Sequence, residues 1–198
     1  MKLFFALLFS TILFSACNDA STATTALHKI DSNAVYIPIR DLIQEEISKV
    51  DSFSAGIQLR TSFQNGAENH YIKIDSFHLM ASSFLNALPD RSMLQQNYQE
   101  TNLFDESSGE LTLMYTPLEE TLPISTIVVY IEKGEFKDKV KRIYYEEKVQ
   151  NNETIYVRKN TWKLGQYFII SEEKRVGNNA ATQIVHKLIW DTELFNEE

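Results

Sequence analysis

A lone cysteine, Cys17, is the whole thiol inventory of this 198-residue chain. One sulfur can build neither an internal disulfide nor a thiolate metal cluster, so a domain of this sequence must hold together by its core alone. Glycine is scarce too: the six, at positions 56, 66, 109, 134, 165 and 177, never come closer than ten positions. Neither a phosphate-cradling loop nor a dinucleotide fingerprint can be assembled from glycines so dispersed. His28, His70, His78 and His186 lie at least eight positions apart, which excludes metalloprotease spacing, and no serine occupies a Gly-x-Ser-x-Gly elbow. No catalytic residue, metal ligand or cofactor is nominated, and the expectation is a protein that is not an enzyme. Basic side chains are also in the minority, 19 against 27 acidic ones.

What the chain does have begins at its N-terminus. Met1-Lys2 supplies one positive charge, Leu3 to Phe14 is apolar apart from Ser10 and Thr11, and Ser15-Ala16-Cys17 follows. That is the charged, apolar and small-residue succession of a secretory signal. A spanning helix needs about 20 apolar residues, and Asn18-Asp19 ends this run well short of that. Phe14-Ser15-Ala16-Cys17 resembles the lipobox of bacterial lipoproteins, with Phe14 where the family usually has leucine. The resemblance covers residues 1–17 and implies cleavage before Cys17, which would carry a diacylglyceryl thioether and an N-acyl chain such as palmitate. At about 0.8 kcal/mol per buried methylene, two or three such chains hold a protein durably at a membrane. The expected location is the cell envelope of a Gram-negative bacterium, anchored to the outer membrane rather than the inner.

Three segments follow: a signal peptide over 1–16, a lipidated flexible tether over 17–33, and a single α+β domain over 34–198. The stretch Asn18 to Asn33 is rich in Ala, Ser, Thr, Asn and Asp, and its flexible residues reach roughly 20 to 24 Å. Removal of the signal takes Lys2 with it and leaves 18 basic against 27 acidic side chains. A surface of that sign repels nucleic acid and anionic headgroups. Membrane attachment is therefore expected to come from the acyl chains, and no nucleic-acid partner is expected.

In the domain, Ile39, Leu42, Ile43, Ile47 and Val50 recur at helical spacing, which predicts a helix from Arg40 to Val50. Extended runs at Ile57 to Phe63 and His70 to Asp75 flank the Asn65-Gly66 hairpin signal. Asp75 or Ser76 is the expected cap of a second helix reaching Leu88, stopped by Pro89, and a short helix over Arg91 to Tyr98 follows. Extended segments then run over Leu111 to Tyr115, Thr126 to Glu132, Lys139 to Val149, Thr154 to Trp162, Gln166 to Ser171 and Thr182 to Trp190. Turns separate them, so an antiparallel meander of about eight strands packed by N-terminal amphipathic helices is expected.

Alternation in these strands puts Ile143 and Tyr145 on one face with Val149, and Val140 and Tyr144 on the other; Ile184, Leu188 and Trp190 oppose Val185 and Ile189. A sheet apolar on both faces needs cover on both. Either an envelope protein or glycan docks on the uncovered face through Tyr144, Tyr156, Trp162 and Tyr167, or the sheet curls into a half-barrel that carries a lipid or other apolar ligand. The second arrangement resembles the LolA/LolB lipoprotein-carrier architecture in element order and size. A third reading makes the aromatics ordinary cross-strand packing residues. Acidic pairs at Glu146-Glu147 and Glu172-Glu173 point to opposite faces of their strands and read as solvated surface.

Changing Cys17→Ser is expected to abolish incorporation of labelled palmitate and to release the chain from the membrane fraction. A variant that still incorporates the label would refute the lipobox assignment.

Overall fold

The computed structural model describes residues 36–52, 56–135 and 137–196. Cys17, the expected signal peptide and the tether lie outside the described residues. Helix α1 (Ile39–Asp51) buries Ile39, Ile43, Ile47 and Val50, the apolar stripe of its periodicity. Glu46 lies in the same stripe and is also buried. Its Oε2 accepts the Gly165 N–H at 2.6 Å, and Lys49 Nζ donates to its Oε1 at 3.0 Å. Gly165 has a φ of +77°, a turn conformation suited to glycine, so the buried carboxylate ties α1 to a sheet turn.

Strands β1 (Ile57–Phe63) and β2 (Gly66–Ile72) pair with Phe63 opposite Gly66, so the turn holds only Gln64 and Asn65. Residues 66–69, between the two expected extended runs, thus belong to β2, whose residues are almost all exposed. Helix α2 (Ile74–Ala87) starts directly afterwards with Lys73 in the cap position and no side-chain cap bond. Asp75 is not the cap expected from the sequence; it lies in the first turn, where a carboxylate suits the helix dipole. Helix α3 (Arg91–Asn97) is capped by Asp90, which accepts from the Met93 N–H at 2.8 Å.

Strand β3 (Tyr98–Asp105) follows α3 without a linker and was not anticipated. Its sequence, Tyr-Gln-Glu-Thr-Asn-Leu-Phe-Asp, is mostly polar because it is an edge strand, where polar residues block unwanted pairing. The remaining strands are β4 (Glu110–Pro117), β5 (Ile124–Glu132), β6 (Lys139–Asn151), β7 (Thr154–Lys163), β8 (Tyr167–Val176) and β9 (Thr182–Ile189). The nine form one antiparallel sheet in the order β2-β1-β9-β8-β7-β6-β5-β4-β3. The class is α+β, and the sheet is not closed into a barrel. β3 to β9 are a meander, and the N-terminal hairpin joins it through β1 against β9.

Helix α2 covers one face of the sheet with Phe77, Ala81, Phe84 and Leu85. Phe84 stands edge-on to Tyr145 and Trp162, at centroid distances of 4.9 and 5.2 Å. Trp162 stacks on Phe168 at 4.8 Å, and Trp190 lies against both. The Tyr145 hydroxyl donates to the Phe84 carbonyl at 2.9 Å, one of those that a helix end leaves without an internal partner.

One facing is corrected. Val140 was expected beside Tyr144, but the β5–β6 register shifts so that Tyr130 opposes Arg142 while Ile131 opposes Val140. The extra residue, Lys141, forms a bulge that returns Val140 to the helix-covered face, where it packs against the core.

Phe84→Ala removes the ring that joins α2 to three aromatic strand residues and should cost about 3–5 kcal/mol. Urea denaturation checks this, and a loss below about 1 kcal/mol would mean that the cluster is not the core's centre.

Candidate functional site

The four aromatic residues nominated from sequence divide between two faces. Trp162 is 0 % exposed within the α2 cluster, out of reach of any partner, which removes it from the docking set. Tyr156 lies on the same sheet face but beyond the helices, half-buried, with Lys174 Nζ 5.6 Å from its ring centroid. Tyr144 and Tyr167 are on the opposite face, which no α-helix covers among the described residues.

Register builds that helix-free face into rows. Tyr167 opposes Lys163, Lys163 opposes Arg142, Arg142 opposes Tyr130 and Tyr130 opposes Thr112, a single row across β8, β7, β6, β5 and β4. The row beside it runs through Arg60, Lys187, Ile169, Thr161, Tyr144 and Val128. The cations lie against the rings: Arg142 is 3.9 Å from the Tyr130 centroid, and Lys187 and Lys163 are 4.5 and 5.7 Å from that of Tyr167. Such contacts hold a charged head in place without neutralising it. Tyr130, Arg142, Tyr144 and Thr161 line a shallow depression of about 190 Å³.

Long side chains cover the apolar floor of this face. Val128 is 7 % exposed and Ile189 0 %, although neither faces the helices; Tyr144 stands opposite Val128 and Tyr167 opposite Ile189, and amphipathic side chains of this kind cover apolar surface while their polar ends face outward. From Arg142 to the end of β9, strand alternation turns Arg142, Lys148, Lys159, Lys163, Arg175 and Lys187 to this side, against Glu146 and Glu173. Glu173 already binds Arg175 at 3.3 Å, and Glu146 accepts the Tyr144 hydroxyl at 3.1 Å. Burial first, and Glu146 second, push the Tyr144 hydroxyl up to about 12. A chain with a net charge of −8 thus presents a cationic patch over β6 to β9 of this face, while on β4 and β5 the same face carries Glu110 and Glu132. At the β1 side the C-terminal turn limits it: Arg60 Nη2 donates to the carbonyls of Leu194 and Phe195 at 3.0 and 2.6 Å.

On the helix-bearing face, past the end of α2, Glu147, Arg158 and Glu172 lie side by side on β6, β7 and β8. Arg158 Nε donates to Glu172 at 2.8 Å, and its Nη1 is 3.7 Å from Glu147. One carboxylate of each adjacent acidic pair therefore faces this guanidinium, while its neighbour faces away. An arginine between two carboxylates makes an ion cluster. No group of three or more His, Cys, Asp or Glu fit to hold a metal occurs among the described residues. Beside this cluster His186 Nδ1 pairs with Thr61 Oγ1 at 3.0 Å.

A second depression, of about 310 Å³, lies near the other end of the sheet between apolar walls of Ile37, Leu111, Leu113, Ile131 and Val140. Glu100, Asn102, Lys133 and Asp138 rim it, and Lys133 pairs with Asp138 across that rim.

Burial holds the His186 imidazole below its ordinary value, opposed by Glu172. The fold therefore favours neutral His186. The stability it contributes is present above pH 6.5, the ordinary histidine value, and is lost as pH falls towards the lowered folded value. The urea midpoint should drop over that window in the wild type and less so in His186→Gln; identical pH profiles would remove His186 as the cause.

Comparison of the chain with protein-family models, with curated protein sequences and with solved structures finds no match in any of the three.

Proposed function

We propose that this chain is a lipid-anchored protein of the bacterial cell envelope whose folded domain is a non-catalytic docking module, binding its partner on the helix-free face of the sheet. The lipobox resemblance at Cys17 supports the anchoring. No helix among the described residues is long and apolar enough to cross a membrane, and the acyl chains would supply the attachment. The observation that carries the docking reading is the row Tyr167, Lys163, Arg142 and Tyr130 on the face without helices. Tyrosine and arginine are the residue types that binding surfaces favour, because each offers a large rigid body and a polar end. Catalysis finds no comparable support: Glu147 and Glu172, which flank Arg158, are both taken by its guanidinium.

A second reading, carriage of a small apolar ligand, draws on the cleft walled by Leu111, Leu113, Ile131 and Val140. Its volume of about 310 Å³ is at the lower end of the range for ligand pockets. A larger hollow of about 450 Å³ beside α1 is walled by Glu45, Glu46, Lys49, Asp138 and Lys139 as well as Leu42 and Val140, a charged lining that does not suit an apolar ligand.

A photo-crosslinking residue separates the two in cells. Placed at Thr161, in the belt, it should give a discrete adduct in the envelope fraction, whereas at Leu79, on the exposed side of α2, it should give none. An adduct formed only from the position of Leu111 would transfer the function to the cleft. Equal yields from Thr161 and Leu79 would sink the docking reading.

A further inference from the structure

We infer that the partner held by this face is an anionic glycan, a chain of sugars carrying carboxylate, phosphate or sulfate groups, which crosses the strands along the row from Tyr167 to Tyr130. The inference rests on the docking reading and narrows its partner to one chemical class.

Three features of the face carry it. The first is charge. From Arg142 to the end of β9 the face bears six basic side chains and two acidic ones, Glu173 paired with Arg175 and Glu146 accepting from the Tyr144 hydroxyl, which leaves an excess of positive charge. Only an anionic ligand gains from that excess. The second is the hydroxyl content of the depression, where Tyr130, Tyr144 and Thr161 surround Arg142. Hydroxyls exchange hydrogen bonds with sugar hydroxyls as donor and acceptor, and the guanidinium fork matches a carboxylate or phosphate in two bonds. The third is spacing. Adjacent strands lie about 4.8 Å apart, close to the length of one pyranose residue, so Lys163 and Arg142 meet charges on successive sugars.

Other occupants fit less well. A protein partner gains most from burying apolar surface, and under the row from Tyr167 to Tyr130 that surface is already largely covered, with Ile189 and Val128 nearly inaccessible; the exposed Met114 and Leu103 lie beyond it on β4 and β3. A bilayer is flat, whereas neighbouring strands rotate by about 20 to 25° each, so a plane touches few strands of a nine-stranded sheet. A nucleic acid carries a charge every ~1.7 Å of duplex and is repelled by the remainder of a chain whose net charge is −8. A short glycan with one charge per sugar stays over the cationic strands, whereas a duplex extends past them and comes within the screening length of about 8 Å of the acidic remainder.

Titration of the full-length protein in detergent micelles with an oligogalacturonate tests this, against its methyl-esterified, uncharged counterpart. The acidic oligomer should bind with an affinity that falls as salt rises, and the ester about tenfold more weakly or worse. Arg142→Gln combined with Lys163→Gln should weaken binding by about tenfold or more, while Lys49→Gln, on α1, should leave it unchanged. The two belt positions are at the surface, so circular dichroism of the double variant should match the wild type. Equal binding of acid and ester would overturn the inference, as would preference for anionic vesicles or single-stranded nucleic acid over the oligomer. An adduct at Thr161 in cells combined with no affinity for the acidic oligomer would leave the docking reading standing and remove this one.

Discussion

The contact between α2 and the aromatic strand residues is the constraint on which the fold depends. Phe84 meets Tyr145 and Trp162 edge-on, Trp162 stacks on Phe168, and Phe77 closes on Trp190. Rings of this size bury the apolar area that a domain without disulfides needs. Because the cluster commits α2 to one face of the sheet, the other face is left to cover itself. It does so with long side chains, whose stems shield the aliphatic floor and whose heads remain in water.

That self-covering explains why an acidic chain carries a basic patch. Lysine, arginine and tyrosine are the residues with enough stem to shield a strand and a polar end to meet solvent. Other carboxylates are matched with cations away from the patch: Glu147 and Glu172 around Arg158, Glu45 and Glu46 with Lys49 on α1, and Glu132 against Lys141 at the end of β5. The sheet thus separates charge that net composition averages away. The sign expected for the surface from composition holds for the molecule as a whole and not for this patch.

Much of the fold was legible in the residues. The stripe Ile39, Ile43, Ile47 and Val50 marked α1, and the extended runs after Glu110 marked the meander. The β3 edge strand was not legible, because polar residues at an edge carry no alternation. Nor was the bulge at Lys141, which depends on how β5 and β6 pair. For the candidate site, Tyr144 and Tyr167 were found as aromatic strand residues with polar ends. Tyr130, Arg142 and Lys163 were missed, since their neighbourhood exists only across four strands. Trp162 gave the same local signal as Tyr144, and only its position under α2 shows that it belongs to the core.

By itself, then, the sequence determined what depends on neighbours along the chain: helical stripes, strand periods, turns, the lipobox pattern and the lack of a disulfide or glycine-rich loop. Tertiary structure alone decided which aromatics are core and which face solvent, that β1 joins β9, and that cations as far apart in the chain as Arg60 and Lys187 share one surface. The reason is physical. Local spacing fixes the direction of a side chain relative to its own strand, whereas the face it joins depends on register with strands far away, and a single extra residue reverses it.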